Sequence, residues 1–431
     1  MIKERVFVLD YDLISPLGVG KKDVWENIED QKSAEDEITN FDVDGLQIRH
    51  GCEVKNGLRQ LYCNEPEQLL AAMRFDRKLE LLCAVYKLMN DRLLVYLEKV
   101  ESGRAGVILG LGVDVFPFEL LDKDILMRLG SEMDPLLLIS EQMKTWSGPL
   151  NLVLNPFDMY PIYLAEKLGL AAFQKTVLTA CAASTQAFIL GCQAIARREV
   201  DVVLVGGTDS ILNLVGLTGF SKLGVLAESD SNPGTSCKPF DVNRKGTLAG
   251  EAAGLCLLVS EKYLDRTGGN PSFEVLGHGN TLDAYQITAP DPEAKGMIRA
   301  IENALKGSGI KPEEIDTINL HGTGTYLNDP AELLALETVF GNVLNKIPVC
   351  STKDRHGHAI AAAGIQELVV LFECMSNNMV PSTINLTHPI GDSGADFVMG
   401  TNRRTPLNIG MSNNFSFGGI NTSVVVKKIN Q

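Results

Sequence analysis

Three apolar runs limit what this chain can fold into: Ala105-Gly106-Val107-Ile108-Leu109, Val200-Asp201-Val202-Val203-Leu204-Val205 and Gly254-Leu255-Cys256-Leu257-Leu258-Val259. A strand with water on one face alternates apolar and polar residues. These runs are nearly continuous, so they read as strands buried on both faces. The segments between such runs, for example Gln68 to Val100 and Pro292 to Gly307, carry helical spacing. Strand–helix alternation predicts an α/β fold. The pattern breaks at Leu264-Asp265-Arg266-Thr267-Gly268-Gly269-Asn270-Pro271 and restarts with Ser272 to Gly277. Two α/β halves follow, 1–262 and 263–431. A chain of 431 residues, 45% of them hydrophobic, is long enough for a large buried core. Length alone would suit two or three domains.

The formal net charge of −15 argues against a nucleic-acid binder, which needs a basic surface. An acidic partner would have to dock on a local basic patch. No segment reaches the roughly 18 consecutive apolar residues of a membrane span, so none is expected. Met1-Ile2-Lys3-Glu4-Arg5 precedes an apolar stretch broken by Asp10 and Asp12, which is not a signal peptide. The nine cysteines form no CxxC pair, so no metal site and no disulfide framework is predicted. Cys83, Cys192, Cys256 and Cys374 lie in apolar or helical runs and read as packing. A reducing cytoplasm is the expected setting.

Cys181 differs from these. It sits in Thr179-Ala180-Cys181-Ala182-Ala183-Ser184, between a short apolar segment, Lys175-Thr176-Val177-Leu178, that reads as a buried strand, and a helical stretch from Ala182 to Ala196. A thiol there faces the positive end of the helix dipole, which favours the nucleophilic thiolate. Two later segments place histidines on glycine-rich strand exits, where side chains project into a site. They are His321-Gly322-Thr323-Gly324-Thr325, after the strand-like Ile315 to Leu320, and Ser351-Thr352-Lys353-Asp354-Arg355-His356-Gly357-His358, after Ile347 to Cys350.

Together these residues resemble the β-ketoacyl-acyl-carrier-protein synthases, over nearly the whole chain and in the family's order. Ser15-Pro16-Leu17-Gly18 resembles the N-terminal turn, and the Cys181 segment the nucleophile motif. Lys238-Pro239-Phe240-Asp241 with Arg244, then Gly250-Glu251, resembles the central motif. His321 to Thr325 with Asn328, Asp329 and Glu332 resembles the first histidine motif; Ser351-Thr352-Lys353 with Gly357-His358 and Ala362-Ala363-Gly364 resembles the second. Ser412-Asn413, Phe415, Phe417-Gly418-Gly419 and Asn421 resemble the C-terminal loop. Six motifs in order are specific where one would be weak.

The resemblance implies a thiolase-like five-layer αβαβα fold of two similar halves, with Cys181 on the first and both histidines on the second. It implies a decarboxylative Claisen condensation in fatty-acid or polyketide synthesis. Cys181 takes an acyl group from an acyl-carrier protein, and the backbone N–H groups of Cys181 and Phe417 hold the oxyanion. His321 and His358 hold the enolate left when a malonyl thioester loses carbon dioxide. Lys353 and Glu367 form a charged pair that orients the second histidine region. Thr323 and Thr325 bind the phosphopantetheine arm, which the carrier protein brings, so no cofactor and no metal is implied. Val113, Phe220 and Phe417 set the acyl pocket, with Val113 at the seam of a homodimer and Phe417 as a gate. A heterodimer with a related subunit is the other implied assembly. Arg74 and Lys222 are the candidate carrier-docking residues.

Several positions depart from the family pattern. His356 stands where Thr usually precedes Gly-His, and is expected to be solvated or to disturb the local network. Ala361, Asn414, Ser416, Thr247 and Ala252 replace Gly, Ser, Gly, Phe and Gly. Leu9-Asp10-Tyr11-Asp12 replaces a glycine-containing turn. The departures concern the lining and leave the catalytic atoms, so they bear on substrate rather than reaction. A thiolase would carry a second cysteine in the late loop, but Asn413 to Gly419 has none. A non-catalytic partner subunit would typically lack the nucleophile that Cys181 supplies.

Overall fold

A computed structural model describes residues 4–55, 57–73, 76–113, 157–229, 232–391 and 394–429. The strands that matter to the site are β1 (Val6–Ser15), β2 (Ala105–Leu111), β3 (Gln174–Val177), β4 (Val202–Ser210), β5 (Glu251–Ser260), β6 (Phe273–Leu282), β7 (Thr317–Asn319), β8 (Pro348–Cys350), β9 (Asp396–Phe397), β10 (Ile409–Phe415) and β11 (Ile420–Lys428). The helices are α1 (Arg77–Leu97), α2 (Ala183–Ala196), α3 (Leu214–Lys222), α4 (Lys295–Ser308), α5 (Asn328–Phe340), α6 (Lys353–His356) and α7 (Ala363–Asn377).

Among the described residues the strands run in the order β9-β8-β7-β10-β11-β6-β1-β5-β4-β2-β3. The two halves repeat one pattern. In the first, β2 lies parallel to β3 and β4, then β5 and β1 follow antiparallel. In the second, β7 lies parallel to β8 and β10, then β11 and β6 follow antiparallel. A short antiparallel pairing, Val6↔Val275 to Val8↔Phe273, joins the halves edge to edge.

Three cores give the layers. Phe188, Ile189 and Ile195 of α2 and Leu368, Val369 and Phe372 of α7 fill the middle, between the two sheets. Leu82, Val85 and Met89 of α1 cover the outer face of the first sheet. Ile301 and Ala304 of α4 with Leu333 and Leu336 of α5 cover that of the second. This is the five-layer arrangement that the resemblance implies. The segment Ile360–Asn377 is apolar enough for a membrane span, but 83% of it is buried as the central helix.

Some local expectations need correction. β3 is the edge of the sheet, and Gln174 and Lys175 are exposed, so Lys175 to Leu178 is not a buried strand. The helical stretch from Gln68 is two helices, Glu67–Met73 and α1, the second capped by the Asp76 side chain. Helix α4 starts at Lys295, three residues after Pro292, because the chain first turns through a left-handed Ala294.

The repeat carries into the site. Cys181 lies in a 3₁₀ turn, Ala180–Ala182, that leads into α2; Ile360–Ala362 leads in the same way into α7. Both turns begin with a non-glycine residue at positive φ, Ala180 at 46° and Ile360 at 42°. Such a conformation costs on the order of 1–3 kcal/mol and persists only where its surroundings impose it. The turn before α2 lies tight against β2, where a Cβ on Gly110 would lie 2.3 Å from the Ser184 nitrogen. Backbone thus packs on backbone close to Cys181.

Candidate active site

Cys181, His321 and His358 come from three separate elements and converge. Their ligand-type side-chain atoms all lie within 4.8 Å of one another. His358 Nε2 is 3.1 Å from Cys181 Sγ. The imidazole rings meet edge to face at 5.4 Å between centroids. All three residues line a cavity of about 400 Å³ that also touches Thr323, Thr325, Phe220 and Phe417.

The thiolate expected from the helix dipole is not what the structure holds. Burial pushes the Cys181 thiol up to about 12, against the opposing pull of Lys353 and of the backbone N–H groups of Phe417 and Cys181 itself. Desolvation outweighs these pulls, and Cys181 rests as a thiol beside an imidazole. Alkylation of Cys181 by iodoacetamide should accordingly keep rising by about tenfold per pH unit past pH 9. A free cysteine would level off near its ordinary value of about 8.5. Rates followed by mass spectrometry from pH 6 to pH 10 check this, and a plateau below pH 8.5 would contradict it.

Burial also holds both histidines well below their ordinary value, with Lys353 adding to the shift in each. They are neutral at physiological pH. Lys353 Nζ lies 3.3 Å from His321 Nδ1 and also donates to the His321 carbonyl. An ammonium can only donate, so His321 Nδ1 accepts and its proton sits on Nε2. His321 thus presents a donor to the cavity. The same geometry disfavours a cation among the three residues, because that nitrogen has no lone pair to give and an ammonium lies next to it.

Lys353 makes a fully buried ion pair with Glu367. Lys353 touches His321 directly, and its charge acts on His358 as well. Glu332 accepts from the backbone N–H groups of His321 and Gly322, each at 2.8 Å. Asp329 accepts from Phe240 at 2.7 Å and Thr323 at 3.1 Å. Arg244 donates to the carbonyls of Thr325 and Tyr326. Phe240 and Arg244 of the central motif therefore brace the first histidine loop. The Thr323 and Thr325 hydroxyls lie 2.9 Å apart on that loop.

Phe417 stacks on Phe220 with centroids 6.5 Å apart. Its loop is tied to residues 283–287, where Gly418 donates to the Ile287 carbonyl at 2.6 Å and Asp283 to the Gly419 carbonyl at 2.8 Å. Nothing in the sequence signals this tie. Ser416 Oγ donates to the Phe417 and Ile420 carbonyls at 3.0 and 3.2 Å, which binds the loop to itself. His356 is not solvated. It is buried between Thr352 Oγ1 and the Gly357 carbonyl, each at 2.8 Å.

The remaining candidates lie apart. Val113 is 75% exposed at the exit of β2 and does not line the cavity. Lys222 is exposed at the end of α3, next to Leu223 of the cavity wall. Arg74 lies outside the described residues.

A cysteine on a strained strand–helix turn, facing two neutral imidazoles in this doubled α/β fold, defines an acyl-transferring condensing enzyme. Residues 3–263 match the family described as Beta-ketoacyl synthase, N-terminal domain, and residues 272–387 match Beta-ketoacyl synthase, C-terminal domain. The chain belongs to the β-ketoacyl synthase family. It is similar to the 3-oxoacyl-(acyl-carrier-protein) synthase 2 of a Synechocystis sp., with 30% identity over 99% of this chain and 98% of that one. The protein of the same name from Coxiella burnetii is 28% identical over the full length of both chains. Among solved structures, the ishigamide ketosynthase/chain length factor aligns with a TM-score of 0.84 at 26% identity, covering 99% of this chain and 100% of that one. A ketosynthase in complex with its chain length factor from Xenorhabdus doucetiae gives 0.75 at 26%, covering 99% and 98%. Enzymes of this family need no cofactor of their own.

Proposed function

We propose that the protein condenses an acyl group held on Cys181 with a malonyl group delivered by an acyl-carrier protein, releasing carbon dioxide and a β-ketoacyl-carrier protein. The observation that carries this is the convergence of Cys181 with two neutral imidazoles, one of them fixed as an Nε2–H donor by Lys353. In the first step sulfur attacks the acyl thioester. Its proton passes to His358 Nε2 and leaves on the departing carrier thiol. The N–H groups of Cys181 and Phe417, which face the sulfur, receive the developing oxyanion. In the second step the bond from the malonyl carboxylate to its α-carbon breaks, carbon dioxide departs and the electron pair becomes an enolate. Between the two steps the His358 ring proton moves from Nδ1 to Nε2 by exchange, so that His321 and His358 both donate to the enolate oxygen; its carbon attacks the acyl-cysteine, and the Cys181 sulfur leaves and takes up a proton from solvent. Thr323 and Thr325, on the cavity wall, would hold the phosphopantetheine arm. Phe220 and Phe417 would border the acyl chain.

The partners belong to this proposal. The exposed edge of β3, with Leu178 at 47% and Val113 at 75% exposure, supports a second ketosynthase-type subunit on that side, a homodimer first and a heterodimer otherwise. Val113 would meet an acyl tail only beneath that subunit. Nine free cysteines suit a reducing cytoplasm. Incubation with a panel of acyl-carrier-protein thioesters, then malonyl-carrier protein, should show acylated Cys181 and then a β-ketoacyl product by mass spectrometry. An unmodified Cys181 across the panel would defeat the proposal. Lys222→Glu should raise the Michaelis constant for the acidic carrier protein several-fold at low salt, with the effect shrinking as salt is added. An unchanged constant at low salt would remove Lys222 from the docking surface.

A further inference from the structure

Asn414 is buried at the meeting point of the two halves of the site. Its Oδ1 accepts from the Thr185 hydroxyl at 2.6 Å, and its Nδ2 donates to Glu367 Oε2. The other Glu367 oxygen holds Lys353, and Lys353 holds His321. Thr185 lies one helical turn after Cys181 on α2. One path of buried hydrogen bonds therefore runs from the nucleophile's helix through Thr185, Asn414, Glu367 and Lys353 to His321. Space there leaves little slack, since a Cβ on Gly364 would lie 1.9 Å from Thr185 Oγ1 and 3.1 Å from Asn414 Oδ1.

An asparagine suits this place because it both accepts and donates at short reach. The donor end matters most. A carboxylate offers two oxygens to partners, and Asn414 occupies one so that the other stays on Lys353. The backbone at this point is also fixed: β10 pairs Asn414 with Thr422, whose hydroxyl donates to the Asn414 carbonyl at 3.0 Å. We propose that Asn414 is a positioning residue for the decarboxylation step, holding Glu367 so that Lys353 keeps His321 in its Nε2–H form. This rests on the proposed condensation and assigns a residue that touches neither substrate nor nucleophile.

The titratable groups facing Asn414 are Glu367 from α7 and, behind it, Lys353 from α6 and His321 from the loop after β7; α2 contributes the neutral Thr185. Asn414→Asp would set a second carboxyl against Glu367. Protonated, that carboxyl can still accept from Thr185 and donate to Glu367. Ionised, it repels Glu367 and releases the pair. The variant should therefore decarboxylate malonyl-carrier protein near the wild-type rate at the acid end of its range and lose rate as pH rises, a limb the wild type lacks. Asn414→Leu removes both contacts and should lower the decarboxylation kcat by about ten- to hundredfold at every pH, a range like that of other supporting-residue losses. Acylation of Cys181 and the Michaelis constant for malonyl-carrier protein should stay within about twofold of wild type, and Asn414→Ser should restore part of the loss. Rates of acylation and decarboxylation measured separately from pH 5.5 to 9, beside thermal melts, give the decision. Equal losses in both steps that track a fall in Tm would make Asn414 structural only and overturn the inference, as would wild-type behaviour of the Asp and Leu variants. Should Asn414→Leu fail to fold, the pH limb of Asn414→Asp decides alone. A wild-type protein that neither acylates nor decarboxylates overturns the functional reading, and this inference with it.

Discussion

Replacing Cys181 with Ala is expected to cut condensation by about ten-thousandfold or more and leave the fold intact. The loss is that large because the covalent step has no substitute: among the described residues no other cysteine lines the cavity. The fold should survive because the repeat already contains the variant. Ala361 occupies, in the turn before α7, the place that Cys181 occupies before α2, and its N–H donates to Asp209 Oδ2 at 3.0 Å. A small side chain is thus compatible with such a strained turn. Malonyl decarboxylation should persist in Cys181→Ala, since the imidazoles remain. Condensation measured by product mass, together with melting temperature, checks both halves of the expectation. Condensation near the wild-type rate would mean that the acyl group is carried elsewhere.

The strands with continuous apolar runs were legible because burial on both faces leaves a pattern in sequence; β2, β4 and β5 stand close to where Ala105, Val200 and Gly254 begin their runs. Cys181 and the two histidines were legible because each sits in a motif with its own glycines or small residues. What was not legible depends on distance. Four residues cannot say whether they form a core strand or an edge, so β3 was misjudged. A helix N-terminus shows in sequence, but the burial that raises the Cys181 thiol does not. Lys353 lies five residues before His358 and yet serves His321, which only the fold brings to its ammonium. The contact from Thr185 to Asn414 spans both halves of the chain and leaves no trace in local spacing. His356 looked like an extra surface imidazole because nothing nearby announces that α6 is buried.

Replacing His321 or His358 with Ala should lower decarboxylation of malonyl-carrier protein by about a hundredfold or more in each case, because each removes one donor from the enolate oxygen. The two variants should differ in the first step. His358 Nε2 touches the Cys181 sulfur at 3.1 Å, so His358→Ala should slow acylation as well. His321 Nε2 already carries a proton because Lys353 occupies Nδ1, so it cannot accept the sulfur's, and His321→Ala should acylate nearly normally. The pH dependence follows from burial. Both imidazoles must be neutral to act, and both have a folded value well below the ordinary 6.5. Protonation therefore begins only well under pH 6.5, and wild-type decarboxylation should be flat from about pH 6.5 to 8, with its acid limb displaced downward. An ordinary exposed histidine would instead give half the rate near pH 6.5. Single-turnover acylation and steady-state decarboxylation on the two variants separate these roles. Equal loss of acylation in both would show that His321 shares the sulfur proton and that Lys353 does not hold it apart.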